Sequence, residues 1–487
     1  MNVAEKKTSS LWVLYSIFFF WGFVAASNTV LIGTFKAHFK LTQFQSQLID
    51  MAFYAAYFLG SLIYFFYSRF RGDLLNKIGY KTGLVGGLLI SAIGSLGFIP
   101  AASMQSYPLM LTSLFIVAIG FTLQQIVVNP YVMVMGSPET GAHRITAGGS
   151  INSFGTTIGP LLISYAIFGG ISSTNTLSDL SSVKMPYIIL AVAFVLAALL
   201  VGLSKLPPVT NTEKIENNLG AFSFKQVRLG MIAIFVYVGV EVTIQSNMPA
   251  LLESPDMLGL PASQTVHFIS LYWGSLMIGR WTGAISAFNL SDRVKKILTA
   301  ILPLLAYAVI LLVNYIKFSA LGVPEKIDDL LFYFPCIVLI ILGFYMAQEK
   351  PARTMLLFGG VGALLMLAGM FTNGYIATYL FISGGLFCSV MWPCIFSLAL
   401  AGLGKYTNQA SSLLVMMILG GAIIPPLQGL LSDTVIKTGD FGVKVGIHFS
   451  YIVPLLGFIY LAYFGFKVKA VLKQQGINFD EKVVSSH

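Results

Sequence analysis

Three carboxamide side chains lie close together in an apolar stretch of the chain. The segment FTLQQIVVNPYV, residues 121–132, carries Gln124, Gln125 and Asn129 within a run, 109–135, that has no charged residue. Hydrocarbon offers no hydrogen-bond partner to a buried amide. These amides must therefore bond either to neighbouring helices or to a polar ligand in a water-filled cavity. In a helix, Gln125 and Asn129 share one face, whereas Gln124 lies about 100° round from Gln125.

A further amide, Asn152, follows in SINSFG, among small residues that let another helix approach closely. Carboxamides donate and accept hydrogen bonds at once, as hydroxyl groups do. We therefore expect Gln124, Gln125, Asn129 and Asn152 to bind a neutral, hydroxyl-rich ligand. The alternative is that the amides only join packed helices.

Two acids also lie inside apolar runs. Glu241, in VGVEVTIQSN, is near the middle of its run, with Gln245 one turn on and on the same face. An ionisable residue at that depth is costly and usually functional. We expect it to have no cationic partner at matching depth, because Arg280 is predicted near the cytoplasmic end of its helix. Asp50 lies near the start of its run and is either hydrated at the surface or part of a gate or cation site.

Either acid can take up a proton, because burial disfavours its charge, or offer an oxygen to sodium. Glu241, which is deeper, is the preferred ion-coupling residue, and Asp50 is the second. Three tryptophans, Trp21, Trp273 and Trp392, lie in the middle of apolar runs instead of the interfacial belt where Trp usually anchors. Apolar ligand faces stack on such rings, so these tryptophans join Gln245 and Glu241 as expected binding residues.

The elements that position these residues are membrane helices. Of 487 residues, 56% are hydrophobic and only 10% are charged, whereas a soluble domain has about 25% charged residues. The partner is therefore a lipid bilayer. Nucleic acid is excluded, because the basic residues behind the +10 net charge form short clusters between apolar runs. The three cysteines form neither a zinc spacing nor a disulfide framework, and no metal or cofactor is expected.

The apolar runs predict fourteen spanning helices, each needing about 20 residues. They lie at about 11–35, 46–68, 80–101, 108–135, 143–170, 185–206, 226–250, 263–288, 295–316, 328–348, 353–371, 376–402, 410–434 and 446–470. With the N-terminus inside, 22 of the 29 Lys and Arg residues fall on the inner face. Both termini are therefore predicted to be cytoplasmic. The expected location is the cell membrane, as a multi-pass protein of a bacterial inner membrane.

A weak internal repeat divides the chain around its longest polar connector. The fourth run holds VVNPYVMVM and a later run holds SVMWPCIFSLAL, each with a proline past its middle. We predict an N-terminal six-helix bundle (1–206), a cytoplasmic connector (207–225), a C-terminal bundle (226–470) and a tail (471–487). An additional helix pair is expected within about 295–371, where two extra spans leave the later orientation unchanged.

Seven segments together resemble one transporter family. They are FFFWGFVAASN (18–28), LTQFQSQLIDMAFYAAYFLGS (41–61), LQQIVVNPYV (123–132), GGSINSFGTTIGP (148–160), FVYVGVEVTIQSNMP (235–249), YWGSLMIGRWTG (272–283) and CSVMWPCIFSLALAGLGKYT (388–407). The chain resembles the fucose–hexose symporters of the major facilitator superfamily, and among them the glucose/galactose transporters. The resemblance implies an all-α membrane protein with the major facilitator fold of two six-helix bundles, here with two additional helices.

The resemblance also implies roles for single residues. Asn152 matches a sugar-contacting asparagine, and Asn28 lies at the end of the first motif, so both are expected to bind sugar. Asp73, Lys77 and Arg280 are expected to form a cytoplasmic gate. The family's fucose–proton symporter carries acids where this chain has Thr29 and Gln125, so coupling through those two positions is not expected here.

The resemblance implies a secondary active transporter of a neutral hexose, driven by H⁺ or Na⁺ and acting as a monomer. An uncoupled sugar facilitator and a transporter-derived sensor are the alternatives. An enzyme is not expected, because the chain has no His-Glu-x-x-His motif, paired aspartates or Ser/His pair, and the absence of a phosphate loop excludes an ATP-driven pump.

Overall fold

Helices separated by short turns make up nearly all of the structure. The computed structural model describes residues 11–25, 35, 38–71, 78–135, 147–156, 158–159, 162, 184–204, 206, 220–287, 290–320, 322–403, 406–438 and 441–477. Within these ranges, ten helices are long and apolar enough to cross a membrane, and two shorter apolar helices accompany them. The predicted multi-pass, helical class is confirmed.

The first half of the chain contains eight helices in the part that is described. They are α1 (Leu11–Ala25), α2 (Gln43–Ser46), α3 (Leu48–Arg71), α4 (Tyr80–Leu96), α5 (Phe98–Ser103), α6 (Tyr107–Val134), α7 (147–156) and α8 (Lys184–Leu203). The N-terminus of α2 is capped by Thr42, whose side chain accepts a hydrogen bond from the backbone N–H of Gln45. The Gln45 side chain in turn accepts from the backbone N–H of Thr42. This capping box fixes the point at which the chain enters α3.

The second half contains the helices α9 to α20. They are α9 (Lys225–Glu253), α10 (Ala262–Gly283), α11 (Asp292–Ala320), α12 (Asp328–Leu331), α13 (Phe334–Ala347), α14 (Pro351–Met370), α15 (Gly374–Cys388), α16 (Met391–Leu400), α17 (Thr407–Met416), α18 (Gly420–Asp433), α19 (Gly446–Phe449) and α20 (Ile452–Gln474). Four 3₁₀ turns, Gly220–Ser223, Ala284–Ala287, Pro324–Ile327 and Met417–Leu419, adjoin them. The last helix ends at Gln474, beyond the boundary predicted at 470.

The two halves repeat one packing pattern. In the first half, α4 packs against α6 and α8, and α3 packs against α6. In the second half, α14 packs against α15 and α20, and α10 packs against α15. The weak sequence repeat therefore corresponds to a repeated arrangement of helices.

The segment between α10 and α14 has no equivalent in the packing pattern of the first half of the chain. It contains α11, α12 and α13, which join α10 to α14 at one side of the second half. The most apolar windows of the two helices that this segment forms, 292–316 and 324–347, are each only 28% buried. The corresponding windows of the other long helices are 44–67% buried. This segment therefore lies at the periphery, away from the contact between the halves.

One small element departs from the all-α prediction. Strands β1 (Val435–Thr438) and β2 (Phe441–Lys444) form an antiparallel hairpin in the register Val435↔Lys444, between α18 and α19. Val435, Ile436 and Val443 are β-branched, which favours strands. The hairpin is a connector and leaves the helical class unchanged.

Candidate functional site

A cavity of about 230 Å³ lies where the two halves of the chain meet. Both halves contribute polar and aromatic side chains to its wall. Those used below are Trp21, Tyr54, Tyr57, Gln125, Asn152, Glu241, Trp273, Arg280, Ser389 and Trp392. The wall therefore combines amides, aromatic rings and one acid–base pair.

Glu241 has a cationic partner in this wall. Its Oε1 lies 2.9 Å from Nη2 of Arg280, and the two side chains are only 12% and 17% exposed. The prediction that no cation reaches the depth of Glu241 is wrong. The pair compensates both charges, so the cavity does not present an isolated carboxylate.

The direction of the side chains explains this pair. Glu241 lies 12 residues before the end of α9 at Glu253, and Arg280 lies 18 residues after the start of α10 at Ala262. The two backbones therefore differ by about 9 Å in depth, measured from the shared connection. Helical side chains tilt toward the N-terminus of their helix. Because α9 and α10 run in opposite directions, the two side chains tilt toward each other.

Arg280 also connects the two halves of the chain. Its Nη1 donates to Asn152 Oδ1 at 3.3 Å and to Ser153 Oγ at 3.0 Å, both on α7. Asn152 in turn donates to the Phe18 carbonyl at 3.0 Å. Arg280 was predicted to belong to a cytoplasmic gate, but its guanidinium lies in the cavity wall. The structure thus places it between the acid of one half and an amide of the other.

A broken helix presents a backbone acceptor to the same arginine. The turn at Ser389 and Val390 separates α15 from α16, and Pro393 follows four residues after Ser389. Proline has no N–H, so it cannot bond to the carbonyl four residues before it. That carbonyl, of Ser389, accepts from Arg280 Nε at 3.4 Å instead. The helix break therefore supplies an acceptor at the cavity.

The amides of the first half face the cavity at two positions. Gln125 is half-buried, and its Nε2 donates to the Tyr57 hydroxyl at 3.3 Å. Asn152, also half-buried, lies on α7 against Gly22 of α1, where a Cβ would overlap the Asn152 carbonyl. Both positions agree with the predicted ligand contacts, because each amide reaches the wall while still bonded to its own half.

Two predicted binding residues lie behind the wall instead. Gln124 is fully buried and joins three helices: its Oε1 accepts from Trp21 Nε1 at 3.0 Å and its Nε2 donates to Ser91 Oγ at 3.0 Å. Gln245 is 1% exposed and does not line the cavity. The structure therefore corrects both positions. Gln124 faces the packing side because it lies about 100° round the helix from Gln125.

All three tryptophans predicted to stack on a ligand line the cavity. Trp21 and Trp273 are 6% and 3% exposed, and Trp392 is half-buried against Phe396, with ring centroids 5.5 Å apart. Rings fixed in this way offer flat apolar faces at low entropic cost.

Some predicted residues are outside the described ranges. They are Asn28, Asp73 and Lys77. Asn129 lies in the helical backbone of α6, and its side chain is likewise outside what is described.

The halves also meet at the end of the molecule where α3 begins, called here the Gln43 end. Gln43 Nε2 donates to Asn247 Oδ1 at 2.8 Å, and Gln47 Nε2 donates to the Ser246 carbonyl at 3.2 Å. All these side chains are buried. At the neighbouring contact, Gly421 of α18 lies so close to the Tyr54 ring that a Cβ would press against it. The cavity is therefore closed at this end by buried polar contacts.

A chain of hydrogen bonds supports this closure. Asn247 donates to the Thr243 carbonyl at 3.1 Å, and the Thr243 hydroxyl donates to Gln428 Oε1 at 2.6 Å. Gln428 then donates to Ser450 Oγ at 3.1 Å. Sequence reasoning missed this network. Its signal in the sequence is the polar pair Ser246 and Asn247 near the end of α9. That pair does not reveal which helices pack against it.

Asp50 belongs to the same end and is not hydrated. It is 1% exposed, and neither carboxylate oxygen has a hydrogen-bond partner among the described residues. Of the two alternatives predicted for Asp50, hydration at the surface is excluded, because α3 buries its first turn against the second half of the chain. A role in a gate or cation site stays a prediction.

The arrangement in the cavity suits a neutral ligand. Glu241 and Arg280 neutralise each other, while Gln125 and Asn152 offer amide groups that can both donate and accept. Tryptophan faces border the same space. Among the described residues, no group of three or more His, Cys, Asp or Glu side chains forms a metal site.

Comparison with known proteins adds relatives of the whole chain. The family described as Major Facilitator Superfamily matches residues 13–344. A "Glucose/galactose transporter" of Brucella abortus is 33% identical, covering 95% of this chain and 97% of the relative. The "L-fucose-proton symporter" of Escherichia coli is 27% identical over 86% of each chain. The crystal structure of the transporter FucP in the outward conformation aligns with a TM-score of 0.65 at 24% identity, covering 95% of this chain and 99% of that chain.

Proposed function

Because the chain belongs to the major facilitator superfamily, we propose that it moves a neutral hexose, such as glucose or galactose, across a bilayer by alternating access. The observation that carries this proposal is the cavity between the halves, whose wall combines amides, tryptophans and a compensated acid–base pair. The names of relatives, a glucose/galactose transporter and a fucose–proton symporter, support a sugar as the substrate.

The residues around the cavity then have distinct roles. Gln125 and Asn152 bind sugar hydroxyls, and Trp21, Trp273 and Trp392 pack against the apolar ring faces. Arg280 holds Asn152 and Glu241 in place across the contact between the halves. Asn28 and Asn129 remain proposed sugar ligands on the strength of the sequence alone.

In this proposal the chain spans the membrane fourteen times, as a monomer of a bacterial inner membrane, with both termini cytoplasmic. The Gln43 end is then the outer face. The additional pair consists of α11 and the segment containing α12 and α13, since the helix-packing pattern of the first half is matched by α14, α15 and α20 without them. Their low burial supports a position facing lipid.

We further propose that a monovalent cation drives uptake. The Glu241–Arg280 pair changes which acid is the better coupling residue, because the charge of Glu241 is already compensated. An uncoupled facilitator is the alternative that this compensated pair favours. The predicted coupling through Glu241 would require the pair to separate during the transport cycle.

Counterflow in proteoliposomes tests the function directly. Vesicles loaded with unlabelled glucose or galactose should accumulate the labelled sugar transiently, and vesicles without protein should not. Uptake driven by a sodium gradient or a pH gradient then separates symport from facilitation. Absence of counterflow for glucose, galactose and fucose would reject the proposed function.

A further inference from the structure

A group of unsatisfied oxygen atoms is buried at the Gln43 end, outside the cavity. Asp50 is 1% exposed, and Gln47 and Ser246 are 0% and 1% exposed. Both carboxylate oxygens of Asp50, Oε1 of Gln47 and Oγ of Ser246 have no hydrogen-bond partner among the residues that the structure describes. Buried polar atoms are rarely left without partners. Four unsatisfied oxygen atoms in three neighbouring residues therefore indicate that a ligand binds among them.

These atoms belong to one location. Gln47 and Asp50 are three residues apart at the start of α3, where Met51 N bonds to the Gln47 carbonyl, so their side chains share a face. Ser246, on α9 of the other half, lies beside Asp50. Gln47 Nε2 donates to the Ser246 carbonyl, which can only accept, so Oε1 of Gln47 must be the free end of that amide.

The unsatisfied atoms define the chemistry of the ligand. All four are oxygens, and two of them belong to a carboxyl group that can carry a negative charge. No Lys, Arg or His forms an ion pair with Asp50 in the described part of the chain. A proton on Asp50 would give that carboxyl one hydrogen to donate, whereas a metal cation can contact several of these oxygens at once. One carboxylate with amide and hydroxyl oxygens suits a monovalent hard cation, since hard cations prefer oxygen ligands.

We propose that Asp50, Gln47 and Ser246 form a sodium-binding site between the two halves. The site contains ligands from α3 of the first half and α9 of the second, so sodium binding favours the arrangement in which the Gln43 end is closed. Tyr54, one turn after Asp50 on α3, lines the cavity. Closure around sodium thus also fixes one wall of the cavity.

The coupling part of this inference rests on the proposed function, but the binding part does not. The full-length protein is purified in detergent, and its melting temperature is measured while choline chloride is replaced by sodium chloride at constant ionic strength. A ligand that binds only the folded state raises the melting temperature with its concentration. The parent protein should respond to sodium and not to potassium.

Variants locate the site. Asp50→Asn should raise the half-effective sodium concentration at least about tenfold, and Ser246→Ala should raise it less. Asp433→Asn is the matched control: this acid accepts from Phe44 N at the same end, at 3.2 Å, and the sodium response should be unchanged. If Asp50→Asn does not fold, Ser246→Ala decides the question.

Three results would overturn the site: no sodium response in the parent, an unaltered response in Asp50→Asn or Ser246→Ala, or a response to pH in place of sodium. Counterflow distinguishes this failure from failure of the proposed function. A protein that binds sodium at Asp50 without exchanging any hexose contradicts only the function, and a protein that exchanges hexose without sodium binding contradicts only the site.

Discussion

Arg280 of the second half lies 3.3 Å from the Asn152 side chain of the first half, through Nη1, while its Nη2 is 2.9 Å from Glu241. One guanidinium thus holds an amide and an acid that the chain brings from different bundles. This relationship makes the charge pair and Asn152, a proposed sugar ligand, parts of one structural unit.

Removing one charge of the pair should destabilise the protein. Glu241→Gln leaves the Arg280 charge without compensation, at a cost of up to about 3–5 kcal/mol for a buried pair. The double variant Glu241→Gln/Arg280→Gln should regain part of that loss. Thermal unfolding in detergent gives the stability of the parent protein, of Glu241→Gln, of Arg280→Gln and of the double variant. Additive effects of the two substitutions would show that the pair is not coupled.

Adjacent amides should behave differently when truncated. Gln125→Ala should weaken hexose binding by about 1–3 kcal/mol, because a buried hydroxyl loses its partner. Gln124→Ala should chiefly lower the melting temperature, since it removes the link between Trp21 and Ser91. Equilibrium binding of glucose and galactose, measured beside thermal unfolding, separates the two effects. Equal loss of affinity in both variants would contradict the placement of Gln124 behind the wall.

The helix break at Ser389 depends on Pro393. In Pro393→Ala, residue 393 gains an N–H that competes with Arg280 for the Ser389 carbonyl. The stability of the protein should change little, because Pro393 lies in the first turn of α16, where a proline is tolerated, but counterflow should slow. Pro303→Ala is the control, since Pro303 lies inside the peripheral helix α11. Equal rates in both variants would remove the break from the transport cycle.

The Gln43 end should open during transport. Cysteines introduced at Gln43 and Asn247, whose side chains are hydrogen-bonded across the halves, can be joined by a short bifunctional methanethiosulfonate reagent. Transport should stop on cross-linking and recover on reduction. Each single cysteine variant controls for modification alone. A cross-linked protein that transports at the original rate would show that this contact does not open.

The predicted orientation can be tested at two connections. Glu253→Cys lies at the end of α9 and should react with an impermeant thiol reagent added to intact cells. Lys214→Cys, in the connector, should react only after the cells are opened. Labelling of Lys214→Cys from outside would reverse the predicted orientation.

The sequence was sufficient to predict the helical membrane class and six of the residues that line the cavity. Polar side chains are costly in apolar runs, and a tryptophan in the middle of a run departs from its usual interfacial place. It was insufficient for the Glu241–Arg280 pair. Position along the helix places Arg280 near the predicted cytoplasmic end of α10, but the tilt of side chains in antiparallel helices brings its guanidinium to Glu241.

Contacts between distant helix ends were also beyond the sequence. Asp50, Gln43 and Asn247 lie near the ends of apolar runs, where polar residues are usually hydrated. Only the meeting of α2 and α3 with α9 and α18 buries them. Such burial depends on how the two halves pack, so the local sequence pattern does not predict it.

The polar character of the Gln43 end determines what its opening costs. Separating Gln43 from Asn247 exchanges an amide–amide hydrogen bond for bonds to water, at a net cost of about 0.5–1.5 kcal/mol. An apolar contact would instead lose about 25 cal/mol for every Å² that becomes wet. Closed and open forms joined by amide contacts therefore remain close in free energy. Thermal motion can interconvert them, and the solute gradient, not the strength of the seal, sets the direction of net flow.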